Sequence, residues 1–149
     1  MINIVRTNLV TVLIFAHSAT AIAAPPSVDE RAASQALLHA VWAAEPLIMA
    51  SLQVRDDAEM SAQSFRLARV LGQNPPGMTT VITNGCLMAV NGLMILSGSL
   101  ATAMRNGWNA QALVTAKTDY QRWKRDVDKC EVALKVKRRR ELVLLDFEQ

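Results

Sequence analysis

The sequence contains few of the residues from which enzyme active sites are built. It has only two histidines, and His39 is the only one outside the predicted signal segment. No G-x-S-x-G, P-loop, H-E-x-x-H or C-x-x-C-H motif is present, which argues against serine hydrolases, P-loop nucleotide hydrolases, zinc proteases and covalent c-type haem. We therefore predict that the chain is not an enzyme.

Aromatic residues are also scarce, at 5% of the chain, whereas Ala, Leu and Met are plentiful. The abundant side chains lose little rotamer freedom in a helix, so this composition favours helices over strands. With 149 residues, of which 51% are hydrophobic, the chain is long enough for one core and too short for two ordinary domains. We predict an all-α fold, a small up-down helical bundle of about four helices.

The first 23 residues are predicted to be a cleavable secretory signal peptide. Arg6 is their only charge, an apolar run follows it, and small residues precede the expected cleavage point near Ala23 or Ala24. We expect a periplasmic or secreted mature protein. The alternative is an uncleaved anchor, although the apolar run is shorter than the ~20 residues that span a bilayer.

Residues 24–149 are predicted to be a single helical domain. Ser27 and Glu30 fit a capping box at the start of the first helix, and Pro46 either kinks or ends that helix. Asp56, Asp57 and Glu59 suggest a second helix start. A carboxylate pair for acid–base chemistry and a cation site are the alternatives for this acidic cluster. The predicted elements are a helix over 28–45 that continues or kinks over 47–54, helices over 57–71, 80–106 and 110–140, and a tail over 141–149.

Two of the predicted helices share a heptad pattern. In the fourth, apolar residues recur at alternating spacings of three and four, and the third has a matching row. If these helices fold back about a turn at 106–109, facing residues have numbers that add up to about 216. Cys86 and Cys130 satisfy this condition, so we predict a disulfide that links the antiparallel hairpin. The alternative is two free buried thiols. The row in the fourth helix consists of Leu113, Ala116, Tyr120, Trp123, Val127, Cys130 and Leu134.

The third helix lends itself to a second interpretation, because no charged residue occurs between Arg69 and Arg105. A helix that is apolar on every face is either fully buried or in a membrane. Residues 79–104 could cross a bilayer with the following basic segment in the cytoplasm. That topology would put Cys130 in a reducing compartment and Asn84 and Asn91 at membrane depth.

No cofactor is predicted. A zinc site would need His39 and two unpaired thiolates, and the heptad pattern assigns both cysteines to a disulfide. A non-covalent haem held by His39 and a methionine is conceivable in a helical bundle. Methionines at helical spacing, however, more often fill the core.

The basic segment near the C-terminus is the feature that indicates a partner. Between Arg105 and Arg140 the chain has eleven basic and four acidic residues, and a short apolar stretch follows. In an exported protein such a segment meets anionic lipid, cell-wall polymers or an acidic protein surface rather than nucleic acid. A solvated helix end is the alternative. The predicted partner-binding residues are Lys135, Lys137, Arg138, Arg139, Arg140, Leu142, Leu144 and Leu145.

Three functions fit these observations. The first is an exported helical binding protein, such as an immunity or inhibitor protein that neutralises an envelope-acting toxin or enzyme, an expectation carried by size and architecture. The second is an envelope or secretion accessory or chaperone that docks on anionic lipid or on other subunits. The third is a single-span membrane protein with residues 79–104 in the bilayer.

Overall fold

The computed structural model describes residues 27–73, 81–138 and 142. These residues form four helices: α1 (Val28–Val54), α2 (Asp57–Gly72), α3 (Val81–Arg105) and α4 (Ala110–Leu134). The predicted all-α helical bundle is confirmed. The predicted signal peptide and its cleavage point lie outside the described residues.

α1 is one continuous helix in which Pro46 lies without ending it. Its start is the predicted capping box: Glu30 N–H donates to Ser27 Oγ at 3.2 Å, and Ser27 N–H donates to the Glu30 carboxylate at 2.8 Å. Because proline has no N–H, Pro46 cannot bond to the carbonyl of Trp42 one turn earlier. This carbonyl must therefore find another donor, and its partner comes from the other end of the chain.

α2 begins after a single left-handed residue, Arg55, at φ 57°. The Asp56 carboxylate accepts the Glu59 N–H at 2.9 Å, as an N-cap does. The reciprocal half of a capping box is not formed, because the Glu59 carboxylate accepts from Arg66 and Gln63, each at 2.6 Å. These two bonds, that from Arg66 first, hold the pKa of Glu59 below its usual value.

α3 is the central helix, and it contacts the other three. Within the described residues α1 also contacts α2 and α4, whereas α2 and α4 do not contact each other. The apolar character of α3 on several faces is explained by this central position. The gap between α2 and α4 exposes one strip of α3.

The α3–α4 hairpin has the predicted pairing. Cys86 and Cys130 form a disulfide with their Cα atoms 4.8 Å apart, and both are fully buried. A Cβ on Gly92 would lie 3.2 Å from the Cα of Trp123, so this glycine allows the tryptophan to pack directly on the α3 backbone. Gly107 and Trp108, both with positive φ, make the turn.

The prediction that the fourth helix reaches residue 140 is wrong. α4 ends at Leu134, and Lys135 takes the left-handed conformation at φ 57° while its N–H donates to the Glu131 and Val132 carbonyls. Leu134 is the last apolar residue of the heptad row, and the next positions of that row are Lys137 and Glu141. Continuing the helix would therefore bury no further apolar surface.

Candidate binding surfaces

After α4 the chain contacts α1 through Arg138. Its guanidinium lies over the Trp42 ring, 5.6 Å from the centroid, and donates to the Trp42 carbonyl at 3.4 Å. That carbonyl is the one that Pro46 leaves without its helical donor. The Trp42 ring is fixed from two further sides, since Nε1 donates to Glu131 at 3.1 Å and His39 stacks on it at 5.4 Å. Arg138 therefore has a structural role.

Leu142 lies in the core and not on the surface. It is fully buried, its N–H donates to the buried Glu45 carboxylate at 3.3 Å, and its carbonyl accepts from Tyr120 Oη at 3.4 Å. The prediction that Leu142 belongs to a partner-binding surface is corrected, because a partner cannot contact a side chain without solvent exposure. We refer to Arg138 and Leu142, with their partners on α1 and α4, as the C-terminal contact.

The remaining predicted partner-binding residues have two different outcomes. Lys135 and Lys137 are exposed. Arg139, Arg140, Leu144 and Leu145 lie outside the described residues.

The outer surface of α4 carries cations that the sequence analysis left out of the predicted site. Arg122 and Lys129 lie 3.7 Å from Asp119 and Asp126, one turn earlier on the same helix. In contrast, no carboxylate in the described part of the chain pairs with Lys117, Lys124 or Arg125, and all three are exposed. The sequence feature that could have identified these cations is the spacing of seven residues between Lys117 and Lys124, which places both on one side of the helix.

We define the α4 cation surface as Lys117, Lys124, Arg125, Lys135 and Lys137. From residue 117 to residue 135 it extends over about 27 Å at the helical rise. Two apolar side chains, Val114 and Val132, are exposed on the same helix. Asp128 is also exposed on the side of α4 that carries Lys117 and Lys124. The five cations and this one carboxylate leave an excess of positive charge, which attracts acidic groups.

A groove of about 660 Å³ lies between α2 and α4, with α3 as its floor. Arg105 is the one residue with an ionisable side chain among those that line it, and it donates to Asp57 at 3.4 Å and to Ser61 at 3.2 Å. The hydroxyl hydrogens of the groove are already bonded within the protein: Ser64, for example, donates to the Met94 carbonyl and Ser99 to the Asp119 carboxylate. Among the described residues that line the groove, none is a histidine or lysine that could activate one of these hydroxyls.

In the described residues no three His, Cys, Asp or Glu side chains come together in a way that could hold a metal ion. The acidic cluster at the start of α2 has other roles: Asp56 caps the helix, Asp57 pairs with Arg105, and Glu59 pairs with Arg66. Among the described helices, α1 and residues 83–105 of α3 are long and apolar enough, by length and composition, to cross a membrane.

Comparisons with known proteins give no match: no protein family, no curated protein and no solved structure resembles this chain. The disulfide itself indicates an oxidising compartment outside the cytoplasm, since cytoplasmic thiols are kept reduced.

Proposed function

We propose that the chain is an exported, periplasmic binding protein of the inhibitor or immunity type, which neutralises an envelope-acting toxin or enzyme. The observation that carries this proposal is the α4 cation surface, whose five charges have no ion-pair partner in the described part of the chain. Three of these cations lie on α4 and two follow its end. Exposed unpaired cations attract an acidic protein surface and raise the rate of association with it.

The rigidity of α4 supports this function. Its inner side is fixed by the disulfide and by Trp123, which is fully buried against α3. Its C-terminal end is fixed by Glu131, which accepts the Trp42 indole N–H. A surface held in place in the free protein loses little conformational entropy when it binds.

The envelope accessory is the second candidate, and Val114 and Val132 favour it because they add apolar area beside the cations. The apolar side of α4 is packed in the bundle, so attachment to lipid would be mainly electrostatic and sensitive to salt. The single-span candidate places residues 79–104 in the bilayer and α4 outside it, so it would have to lose the Cys86–Cys130 disulfide and the packing of Trp123 on α3. This cost makes it the weakest of the three.

The test compares two variants that carry opposite charges at the same two positions. In one, Lys117→Glu and Lys124→Glu reverse two charges of the α4 cation surface; in the other, Lys117→Arg and Lys124→Arg keep them. Wild type and both variants are cross-linked in the envelope fraction of the producing cells. The captured protein is then purified and titrated with each form at about 0.05 M and about 0.5 M salt, over which screening becomes strong.

A one-to-one complex that the Arg variant keeps and the Glu variant weakens about tenfold or more would support the proposal. Equal binding by both variants would contradict it. A parallel titration with phosphatidylglycerol and phosphatidylcholine vesicles separates the second candidate: salt-sensitive binding to the anionic vesicles alone would replace the inhibitor by the envelope accessory.

A further inference from the structure

The groove between α2 and α4 combines an exposed aromatic ring with neutral hydrogen-bonding side chains. Its volume of about 660 Å³ lies within the range of about 300–1,000 Å³ that is usual for ligand-binding clefts. On α3 the floor of the groove extends from Ile95 to Asn106, about 17 Å at the helical rise. Phe65 of α2 is 75% exposed on one wall. The groove is therefore long enough for an elongated ligand and offers it an apolar ring to stack on.

The lining of the groove is almost uncharged. Arg105 is the one ionisable side chain among the described residues that line it, and the Arg105 guanidinium is 3.4 Å from the Asp57 carboxylate. A nucleotide or another ligand with several negative charges would meet a single cation that is already shared with a carboxylate. A ligand with several positive charges would meet no carboxylate among these lining residues. The groove therefore suits a neutral ligand.

Five hydroxyl groups in the groove act as acceptors toward a ligand. They belong to Ser61, Ser64, Ser99, Thr102 and Thr115. Each donates its only hydrogen within the protein, as Thr115 does to the Gln111 carbonyl at 3.1 Å, and keeps its lone pairs. Ser61 and Thr102 also accept from Arg105, which uses one of the two lone pairs on each oxygen. A ligand must therefore bring O–H or N–H donors to these oxygens.

Three amide side chains in the groove supply donors. The Asn109 Oδ1 accepts the Ala112 N–H at 2.9 Å in the cap of α4, so the Asn109 NH2 group is left for a ligand. Within the described residues the side-chain amides of Asn106 and Gln111 make no hydrogen bond, so each offers two donors and an acceptor oxygen. All three side chains are exposed. The groove therefore matches a ligand whose groups both donate and accept.

We propose that this groove binds a short segment of a neutral, β-linked glycan strand. Every sugar hydroxyl both donates and accepts, so it can bond to the hydroxyls and to the amides of the groove alike. The C–H face of a sugar ring is flat and apolar, and an aromatic side chain such as Phe65 can stack against it. A β-1,4-linked strand is straight, as is a groove whose floor and walls are helices.

Peptides and lipids fit the groove less well. A peptide carbonyl only accepts, so it could bond to none of the five hydroxyls. An acyl chain would leave the hydroxyls and amides without hydrogen-bond partners, which costs free energy.

The groove is separate from the α4 cation surface. Thr115 in the groove and Lys124 on the cation surface are nine residues apart, which places them on opposite sides of the helix. A ligand in the groove therefore leaves the cations uncovered, and the glycan site does not depend on the proposed function.

Titration of the ¹⁵N-labelled, oxidised mature protein with chitotetraose, a neutral β-1,4-linked oligosaccharide, tests the site by nuclear magnetic resonance. The side-chain NH2 signals of Asn106, Asn109 and Gln111 should shift together and saturate. We expect a dissociation constant on the order of 1 mM, because an open groove buries only part of its ligand. Maltotetraose has the same number of rings, but its α-linked chain is curved, so it should bind at least about fivefold more weakly.

Three outcomes of this titration would overturn the proposal. If chitotetraose shifts none of these signals up to about 10 mM, the groove is left for a peptide. If both sugars bind equally well, the site does not select a straight strand. The protein with Lys117→Glu and Lys124→Glu should bind chitotetraose as the wild type does, and a loss of binding there would place the sugar on the α4 cation surface.

Substitutions in the groove test the contacts one by one. Phe65→Leu keeps an apolar side chain without the ring and should weaken chitotetraose binding about tenfold, whereas Phe65→Tyr keeps the ring and should bind within about twofold of the wild type. Because Phe65 is 75% exposed, both variants should unfold as the wild type does. Asn109→Ser keeps the helix cap but has no NH2 group, so it should weaken binding about threefold. Undiminished binding by Phe65→Leu or by Asn109→Ser would contradict the site.

Discussion

The α3–α4 hairpin and the C-terminal contact are held in different ways. In the hairpin, a repeated pattern buries one apolar residue after another, from Leu93 opposite Trp123 to the disulfide. The C-terminal contact instead depends on a few individual interactions: Arg138 on Trp42, and Leu142 between Glu45 and Tyr120. In the hairpin, the destabilising effect of losing one side chain should therefore be spread over many neighbouring residues. In the C-terminal contact, the same loss should destabilise mainly the residues that touch it.

The two regions also differ in what determines which residues pack against each other. The hairpin is specified by spacing, because a shift of one residue would move the whole apolar row out of the seam. The C-terminal contact is specified by an unsatisfied group, the Trp42 carbonyl that Pro46 leaves without a donor. The following predictions test the two regions in turn, from the largest expected effect to the smallest.

Removal of the disulfide should have the largest effect. Cys86 and Cys130 are 44 residues apart, and closing a loop of that length contributes about 4 kcal/mol in the chain-entropy account. The double variant Cys86→Ala and Cys130→Ala should lose about this amount of unfolding free energy in urea, measured by circular dichroism. Reduction of the wild type should give a similar loss. A loss below about 1 kcal/mol would mean that the heptad packing alone determines the stability of the hairpin.

Leu142→Ala should destabilise the protein by about 3 kcal/mol, since it removes a fully buried side chain from the core. Val132→Ala is the control: this residue is 78% exposed and its truncation should cost less than about 0.5 kcal/mol. If the C-terminal contact is as local as its few interactions indicate, Leu142→Ala should also increase amide exchange near Trp42 before it affects α3. Uniform loss of protection over all four helices would contradict that view.

Two glycines of α3 form a matched pair for the hairpin. A Cβ at Gly92 would lie 3.2 Å from the Trp123 Cα, a backbone atom that cannot move away alone, whereas a Cβ at Gly98 would lie 3.7 Å from the Ser64 hydroxyl. We expect Gly92→Ala to cost about 2 kcal/mol by forcing α3 and α4 apart. Gly98→Ala should be neutral or stabilise by up to about 1 kcal/mol through helix propensity. Thermal or urea unfolding of both variants measures the two changes in stability. Equal changes for Gly92→Ala and Gly98→Ala would rule out a close contact at Gly92.

The hairpin could be predicted from the sequence because the information is periodic: seven residues at regular spacing predict the seam, and the register places Cys86 opposite Cys130. The C-terminal contact could not, because it joins single residues nearly a hundred positions apart, such as Arg138 and Trp42. The same reason accounts for the partial outcome of the predicted partner site. A run of charges indicates a basic surface, but only the fold determines that Arg138 turns inward to the Trp42 carbonyl while Lys124 on α4 stays unpaired.

The smallest effect concerns the bond between Arg138 and the Trp42 carbonyl. Arg138→Ala should cost about 1 kcal/mol, since it removes a charge-assisted hydrogen bond and a partly exposed contact with the Trp42 ring. Pro46→Ala restores the N–H donor that the Trp42 carbonyl lacks. In the Pro46→Ala protein, Arg138→Ala should therefore cost less stability than it does in the wild type. A double-mutant cycle of the two substitutions, followed by urea unfolding, should therefore give a coupling free energy of about 0.5 kcal/mol or more. Additive effects would mean that Arg138 stabilises the protein through the Trp42 ring alone.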